Sequence, residues 1–319
     1  MDALERATEV IERSPLVALA CHVTPDGDAL GSMLAMHLLC RSQGKESVAS
    51  WPEPFVVAPH YTYLPGLDLV TKPADFPSAP PVMVTFDCGS LDRLNELAEP
   101  AREAGELIVV DHHATNESYG TINLLDAGAA ASAVMVYRLA KRLGWSLNRD
   151  VAINLYTGIV TDTGRFQYSN TSPEVLEMAA ELSRFDLPIA DMSRQLFEEH
   201  RFAYLQLVAA VLQRAELDKA RRFVATWITR RDLERFGVEM DEAEGMIDLV
   251  RRTAEADVSC VLKESDDGTR VSLRSVTDFD VAAIAMKFGG GGHRAAAGFT
   301  DARPISQVLA DIKAQIPAR

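Results

Sequence analysis

The sequence predicts an α/β fold with two domains: an N-terminal domain built on a mainly parallel sheet, and a smaller α+β domain reached through a helical connector. Three observations support this prediction. Short apolar runs alternate with helical patterns through the first half, as in successive βα units. An amphipathic helical stretch follows, and strand patterns dominate after it. The 319 residues suffice for two ordinary domains, so we place the boundaries at 1–188, 189–216 and 217–319.

The elements of the first half follow from apolar runs and from helix start and stop signals. Largely apolar runs predict three buried strands, at 16–20, 82–86 and 107–110. Apolar positions at helical spacing predict three helices, at 30–41, 129–143 and 149–160. Another helix begins near Ser172, because a serine before proline and glutamate suits a helix N-terminus.

The second half begins with the connector and then changes to strand patterns. The stretch 189–217 is amphipathic at helical spacing. Strands are predicted after it at 223–228, 258–263 and 270–275. Helices near 242–252, 281–288 and 305–316 complete the α+β domain.

The chain is acidic, with a formal net charge of −14 and a sequence pI of about 5.0. Proteins that bind long nucleic acids normally carry a basic surface, because much of the affinity comes from neutralising phosphates. The charge therefore argues against a long nucleic-acid partner. It leaves room for short nucleotides held by a few well-placed cations.

Compartment and redox state follow from what the sequence lacks. No run approaches the length of about 18 apolar residues that a membrane span needs, and the N-terminal segment lacks the apolar centre of a signal peptide. We expect no membrane partner and a cytoplasmic location. The cysteines at 21, 40, 88 and 260 show no paired spacing, which predicts reduced thiols rather than disulfides.

Metal-competent residues follow the predicted strands and the helix at 149–160. In open α/β sheets, ligands bind outside the carboxyl ends of the strands, so these side chains should meet at one rim. An aspartate after a strand is most often a helix cap or a turn residue. Four such segments in this order nevertheless favour a shared metal site. The residues are His22, Asp26, Asp28, Asp87, Asp111, His112, His113 and Asp162.

This mixture of carboxylates and imidazoles suits a divalent ion such as Mn²⁺, with Mg²⁺ as the alternative. Two ions about 3.5–4 Å apart share a carboxylate and a hydroxide, and together hold the attacking and leaving oxygens of a phosphoryl displacement. The sequence therefore predicts a hydrolase of phosphate esters that works by two-metal hydroxide attack.

A second signal is the glycine run at 289–292, which leads into His293 and Arg294. Glycines expose backbone N–H groups without side chains and so favour close approach by an anion. Many glycine-rich runs are flexible linkers, but a linker seldom leads into a His-Arg pair and a small-residue segment. We interpret the run as a phosphate-binding element, with Arg274 as its partner.

These motifs together resemble those of the DHH–DHHA1 phosphoesterase family. The resemblance covers nearly the whole chain, and the length is similar to the nanoRNase and pAp phosphatase branch. That branch includes actinobacterial members that also hydrolyse dinucleotides derived from cyclic-di-AMP. The matching segments are 22–32 (HVTPDGDALGS), 86–90 (FDCGS), 111–113 (DHH), 161–164 (TDTG) and 289–299.

The resemblance implies two Mn²⁺ ions. His22 and Asp26 would hold one ion, and Asp28, His112 and Asp162 would hold the other. Asp87, Asp111 and His113 would take the remaining roles.

Three further residues would complete the catalytic set with His112. By the resemblance, Asp87 would bridge the two ions, and Asp111 would orient a ligand. His113 would contact the scissile phosphate or assist the leaving oxygen.

A substrate-binding role is implied for the second domain. The backbone at Gly290, Gly291 and Gly292, together with His293 and Arg274, would hold the non-reacting phosphate or nucleotide end. The DHH domain would span 1–188 and the DHHA1 domain 217–319. The resemblance also implies a homodimer.

The function implied is hydrolysis of short nucleotides: nanoRNA oligonucleotides, pAp to AMP, and pApA or cyclic-di-AMP. One alternative is a manganese inorganic pyrophosphatase, since such enzymes carry similar motifs in the first half. A second alternative, from another class, is a nucleotide sensor that binds without turnover.

Overall fold

The computed structural model describes residues 2–318, which divide into two compact units between Glu199 and His200. The first unit is a five-stranded sheet in the order β2-β1-β3-β4-β5, with every neighbouring pair parallel. Its strands are β1 (Leu16–Cys21), β2 (Glu46–Ser50), β3 (Val82–Phe86), β4 (Glu106–Asp111) and β5 (Ile122–Leu125). Its helices are α1 (Ala3–Arg13), α2 (Gly27–Ser42), α3 (Ala98–Arg102), α4 (Ser132–Leu143), α5 (Arg149–Asp162), α6 (Pro173–Ser183) and α7 (Ile189–Phe197).

The parallel sheet confirms the predicted fold class of the first half. The three predicted strands are its central strands, and each is buried along nearly its whole length. The two edge strands, β2 and β5, are absent from the prediction. They are short, and their partly exposed residues interrupt the apolar run that marks a buried parallel strand.

Glycines bring α2 and α5 into close contact. A Cβ atom at Gly31 would lie 2.4 Å from the backbone oxygen of Asn154 on α5. A Cβ atom at Gly158 would lie 2.7 Å from Oδ1 of Asp28 on α2. Both distances are too short for any side chain, so only glycine allows this approach. The packing holds the start of α2 next to the last turns of α5.

The second unit is a mixed six-stranded sheet in the order β10-β11-β9-β8-β7-β6, in which only β7 and β8 are parallel. Its strands are β6 (Glu216–Asp218), β7 (Phe223–Ile228), β8 (Val258–Ser265), β9 (Gly268–Ser275), β10 (Gly291–His293) and β11 (Ala296–Asp301). Its helices are α8 (Phe202–Gln213), α9 (Arg230–Phe236), α10 (Met246–Val250), α11 (Val281–Lys287) and α12 (Ile305–Gln315).

Helices cover both faces of this second sheet, which confirms the α+β prediction. Apolar residues of α11 and α12 pack on one face, in a cluster with Phe223 and Leu273. Residues of α8 and α10 pack on the other face, around Val224 and Val261. The unit therefore has two small apolar layers instead of one large core.

Three helix predictions need correction. The stretch predicted as one connector helix forms two helices, α7 and α8, because the backbone leaves helical geometry between them and Arg201 is extended (φ −60°, ψ 145°). The helix predicted at 242–252 is split at Gly245 into a short 3₁₀ turn and α10. The helix predicted from residue 129 begins at Ser132.

Two further expectations concern thiols and membranes. All four cysteines are buried free thiols, as expected. Among residues 2–318, no helix combines the length and the apolar character that crossing a bilayer requires.

The contact between α2 and α5 yields a stability prediction. Gly31→Ala should lower the free energy of unfolding by about 1–3 kcal/mol, because the new methyl group forces the two helices apart. Thermal or urea unfolding measures the change. Gly245→Ala is the matched control, since its Cβ would meet no atom within 4 Å and its backbone is right-handed helical. Equal stability of the two variants would show that the helices can separate at no cost.

Candidate metal centre

The carboxyl ends of three neighbouring strands bring the predicted site residues together. His22 directly follows β1, and Asp87 directly follows β3. Asp111 is the last residue of β4, and His112 and His113 follow it. Because β1, β3 and β4 are adjacent and parallel, these side chains lie at one edge of the sheet.

Two helices supply the remaining carboxylates. Asp26 caps α2, accepting hydrogen bonds from the backbone N–H groups of Asp28 (3.1 Å) and Ala29 (3.0 Å). Asp28 lies in the first turn of α2, and Asp162 is the last residue of α5. The glycine contacts between the two helices therefore determine how close Asp28 and Asp162 lie.

Asp87 is the centre of the cluster. Its Oδ1 lies 3.3 Å from Nε2 of His112 and 3.4 Å from Nδ1 of His113, and its Oδ2 lies 3.6 Å from Nε2 of His22. The side chain is 2% exposed, and its backbone is left-handed (φ 53°). A left-handed aspartate costs backbone energy, and such strain concentrates at functional sites.

Asp87 belongs to three groups of three ligand atoms, of which two do not include His113. The ligand atoms of His22, Asp26 and Asp87 all lie within 4.8 Å of one another, and so do those of Asp28, Asp87 and His112. Asp162 joins the second group, since its Oδ2 is 3.1 Å from Nε2 of His112. Each group has the size and the atom types of a site for one cation.

Asp28 is held by the N-terminus of α4. Its carboxylate accepts hydrogen bonds from the backbone N–H groups of Ser132 (2.5 Å) and Ala133 (2.9 Å), and from the hydroxyl of Ser32 (3.2 Å). The residue at the N-cap of α4 is Ala131, whose methyl side chain cannot accept a hydrogen bond from these N–H groups. A buried carboxylate is thus stabilised by helix N–H groups and by the positive end of the helix dipole.

Asp111 and Asn116 fix the ring of His113. Asp111 Oδ1 lies 2.7 Å from Nδ1 of His113 and accepts its backbone N–H at 3.1 Å. The amide of Asn116 donates to Asp111 Oδ2 (2.5 Å) and to the carbonyl of Cys88 (3.1 Å). The carboxylate of Asp111 thus engages Nδ1 of His113 and sets the orientation of the ring.

Backbone carbonyls orient the other two imidazoles. Nδ1 of His112 lies 3.2 Å from the carbonyl oxygen of Ala129, and Nδ1 of His22 lies 2.8 Å from that of Val23. A histidine that donates from Nδ1 to a carbonyl presents the lone pair of Nε2 to a metal ion. Both Nε2 atoms point towards Asp87.

The pKa values show how strongly these groups interact. Burial, followed by repulsion from Asp87 and Asp162, raises the pKa of Asp28 well above its usual range. Burial also raises the pKa of Asp162 to about 6. Burial alone would lower the pKa of His112, but the carboxylates of Asp162 and Asp87 outweigh it and raise that pKa to about 12. Such shifts show a surplus of negative charge.

The donor set fits divalent cations. Five carboxylates face three imidazoles, so negative charge exceeds positive charge even if every ring is protonated. Asp28, Asp87 and Asp111 are at most 2% exposed, so water cannot offset their charge. The thiol of Cys88 is no competing ligand, because burial raises its pKa to about 11. Oxygen and imidazole donors without thiolate suit ions of the Mn²⁺ or Mg²⁺ class.

Sequence reasoning missed three residues of this centre. Ser132 donates its backbone N–H to Asp28 and its hydroxyl to Asp87 (3.2 Å). Asn116 holds Asp111, and Arg93 places Nη2 3.0 Å from Nδ1 of His22. Asn116 and Arg93 follow the DHH and FDCGS segments within a few residues, which was the available signal. No motif in the sequence around Ser132 indicated that it belongs to the centre.

The predicted residues of the second unit lie in one row across its sheet. His293 on β10 is opposite Ala296 on β11, and Ala296 is opposite Arg274 on β9. Directly opposed residues of antiparallel strands project from the same face, so Arg274 and His293 share a face. Nε of Arg274 is buried and has no hydrogen-bond partner among the described residues.

The glycine run forms strand β10 and the turn before it, where an anion-binding loop was expected. A Cβ at Gly290 would lie 2.2 Å from the backbone oxygen of Gly298, and one at Gly292 would lie 2.5 Å from that of Ala296. The N–H of Gly290 already donates to the carbonyl of Ala285 (2.9 Å). Close backbone packing thus explains two glycines without a ligand. Gly291 meets no such constraint.

Comparison with known proteins agrees with this geometry. The chain matches the DHH family, N-terminal domain, over residues 16–159 and the DHHA1 domain over residues 220–317. It is 34% identical over 292 residues to the "Bifunctional oligoribonuclease and PAP phosphatase NrnA" of Thermus thermophilus, covering 89% of this chain and 83% of that protein. It is 28% identical over 302 residues to the Bacillus subtilis protein of the same name, covering 91% and 92%.

A solved structure supports the fold. An exopolyphosphatase-related protein from Bacteroides fragilis matches with a TM-score of 0.89 at 24% identity, over 98% of this chain and 95% of that chain. The two domain matches together span most of the sequence, in the order that the motifs predict. The chain therefore belongs to the DHH family and carries the DHHA1 domain in its second half.

Proposed function

We propose that this protein is a Mn²⁺-dependent phosphoesterase of short nucleotides, acting on nanoRNA oligonucleotides, on pAp to give AMP, and on pApA or cyclic-di-AMP. The cluster of ligand groups that share Asp87 carries the proposal. Support comes from the two relatives named as oligoribonuclease and PAP phosphatase. The acidic chain favours short substrates over long nucleic acids.

We assign two cation positions within this cluster. His22 and Asp26 would hold one ion, Asp28, His112 and Asp162 the other, and Asp87 would contribute to both. Bound there, the ions would lower the pKa of a water molecule and offset charge on the phosphoryl oxygens. The imidazoles favour Mn²⁺ over Mg²⁺, because Mg²⁺ prefers oxygen ligands.

His113 has the surroundings of a proton donor to the substrate. Burial would lower its pKa, but the hydrogen bond with Asp111 outweighs burial and raises it. With Nδ1 held by Asp111, an N–H at Nε2 could donate to a phosphoryl oxygen or to the leaving oxygen. Asp111 supports this role by fixing the ring, and Asn116 fixes Asp111 in turn.

In the second unit, the row of His293 and Arg274 would bind the non-reacting phosphate or nucleotide end. The buried Nε of Arg274, which lacks a hydrogen-bond partner among the described residues, supports this role. The backbone of Gly291 can contribute, since no side chain blocks its approach. Gly290 and Gly292 shape the hairpin and would contribute mainly by letting β10 pack closely on β11.

Two other functions make different predictions for the same site. A pyrophosphatase would hydrolyse inorganic pyrophosphate faster than any nucleotide. A nucleotide sensor would bind pAp without turnover. The DHHA1 match and the names of the relatives favour the nucleotide enzyme.

We further propose that the protein acts in the cytoplasm as a homodimer through α8. Phe202, Leu205 and Leu212 are 74%, 50% and 40% exposed, and Ala209 continues their stripe at spacings of three and four residues. The helix carries no charged residue, so the stripe suits an identical apolar stripe on a second copy.

The substrate assignment predicts a ranking in a side-by-side Mn²⁺ assay. We expect pAp, pApA and two- to four-residue RNAs to be hydrolysed, and a long single-stranded RNA to react at least about tenfold more slowly, because the acidic surface repels it. Initial rates for these substrates, cyclic-di-AMP and pyrophosphate test this. Fastest turnover of pyrophosphate, or equal rates for short and long RNA, would contradict the proposal.

Removal of the central carboxylate should abolish catalysis. Asp87→Asn keeps the shape of the side chain but removes charge from both cation positions, so kcat should fall about 100-fold or more. Calorimetric titration should show weaker Mn²⁺ binding than in the wild type. Asp92→Asn, an exposed neighbour, is the control and should leave both values unchanged. Unchanged hydrolysis by the Asp87 variant would leave the sensor as the better explanation.

The proposed dimer can be tested with one charge. Leu205→Glu places a carboxylate in the middle of the apolar stripe and should shift sedimentation from dimer to monomer. Leu176→Glu, on α6 at 51% exposure, is the matched control and should leave the dimer intact. A wild-type protein that sediments as a monomer at micromolar concentration would refute the homodimer.

A further inference from the structure

Arg93 lies at the edge of the metal centre and belongs to none of the motifs that define it. It is part of the 3₁₀ segment Leu91–Leu97 that follows the second motif. Its carbonyl accepts the backbone N–H of Val23 at 3.0 Å, which ties this segment to the residue after His22. Its Nη2 lies 3.0 Å from Nδ1 of His22. A guanidinium is thus anchored directly beside a metal ligand.

The guanidinium has no carboxylate partner among residues 2–318. No aspartate or glutamate oxygen of the described chain lies within 4.0 Å of it, although the centre next to it is rich in carboxylates. The side chain is exposed. Some other arginines of the unit, such as Arg102 with Glu99, do form an ion pair with a neighbour. Within residues 2–318, the side chain of Arg93 therefore has its hydrogen-bond partner in the ring of His22.

Two groups compete for the same nitrogen of His22. The carbonyl of Val23 lies 2.8 Å from Nδ1 and can only accept a hydrogen bond. The guanidinium of Arg93 lies 3.0 Å from the same atom and can only donate one. A neutral ring has one N–H, so Nδ1 satisfies either the carbonyl or the arginine, and never both.

His22 would settle this competition if its Nε2 held a cation. A neutral imidazole that gives the Nε2 lone pair to a metal carries its proton on Nδ1. That proton then donates to the carbonyl of Val23, and the arginine loses its acceptor. Metal binding would therefore leave the guanidinium N–H groups of Arg93 without their acceptor on His22. They would then be available to a phosphate bound at the metal centre.

We propose that Arg93 binds the phosphoryl oxygens of the substrate once metal ions occupy the ligand groups around Asp87. In the metal-free protein, the hydrogen bond to His22 keeps Arg93 from this role. This inference rests on the proposed function, because it assumes a phosphate ester as the substrate. A guanidinium suits this role, since its paired donors match two oxygens of a phosphate. Arg93 is then a substrate-binding residue whose availability depends on the metal.

The test compares Arg93→Ala and Arg93→Lys with Arg102→Ala, an exposed arginine of the same unit outside the centre. With Mn²⁺ saturating, Arg93→Ala should raise KM for pAp about tenfold or more, as expected for a lost charge-assisted hydrogen bond. Arg93→Lys should recover part of this loss, and Arg102→Ala should match the wild type. The affinity for Mn²⁺, measured by calorimetry, should not fall by more than about twofold in any variant.

Binding of inorganic phosphate separates this inference from the proposed function. The wild type should bind phosphate with Mn²⁺ present and at least about tenfold more weakly without it, and Arg93→Ala should reduce this difference. This measurement needs no turnover. If the wild type hydrolyses no nucleotide but shows this pattern, the proposed function fails and the role of Arg93 as a phosphate ligand stands.

Three results would overturn the inference. Unchanged KM and unchanged phosphate affinity in Arg93→Ala would show that the side chain makes no substrate contact. A large loss of Mn²⁺ affinity, with KM restored at high metal concentration, would show that Arg93 only positions His22. Nitrogen NMR of histidine-labelled protein adds an independent readout, since diamagnetic Mg²⁺ should place the His22 proton on Nδ1. If His22 instead keeps a lone pair on Nδ1 in the Mg²⁺-bound protein, the inference is also overturned.

Discussion

Buried negative charge accumulates around Asp87, and the surrounding elements are arranged to hold it. Asp28, Asp87 and Asp111 are almost fully excluded from water and lie at one edge of the sheet together with Asp26 and Asp162. Carboxylates in such surroundings repel one another, and the raised pKa of Asp28 shows the effect. A protein keeps this arrangement only if opposite charge is supplied, which is why the donor set and a cation function belong together.

Several elements of the first unit hold these charged side chains in place. The N-terminus of α4 donates two N–H groups to Asp28, and the glycine contacts between α2 and α5 hold Asp28 close to Asp162. Asn116 holds Asp111, which in turn holds His113. Both carboxylate oxygens of Asp28 and both of Asp111 therefore have fixed hydrogen-bond partners. Preorganised surroundings of this kind let a site bind a cation without rearranging.

In the second unit, glycines determine how closely two strands approach each other. Glycines at 290 and 292 are required because β10 and β11 approach too closely for a Cβ atom. The approach brings His293 and Arg274 onto one face, on either side of Ala296. The glycine run thus acts first through strand geometry, and the availability of its N–H groups is secondary, since that of Gly290 is already used.

The sequence predicted the parallel sheet, the α+β second unit and the family, because buried strands and the DHH segment have strong local signals. It also singled out the eight residues that gather at the sheet edge, because strand ends meet there in any open parallel sheet. The residues that surround them became visible in the folded chain. Ser132 contacts Asp28 across 104 positions of chain and Arg93 contacts His22 across 71, distances at which no local pattern exists. The edge strands and the break between α7 and α8 were missed for a related reason, since partial burial and a short extended segment depend on neighbours that only the folded chain supplies.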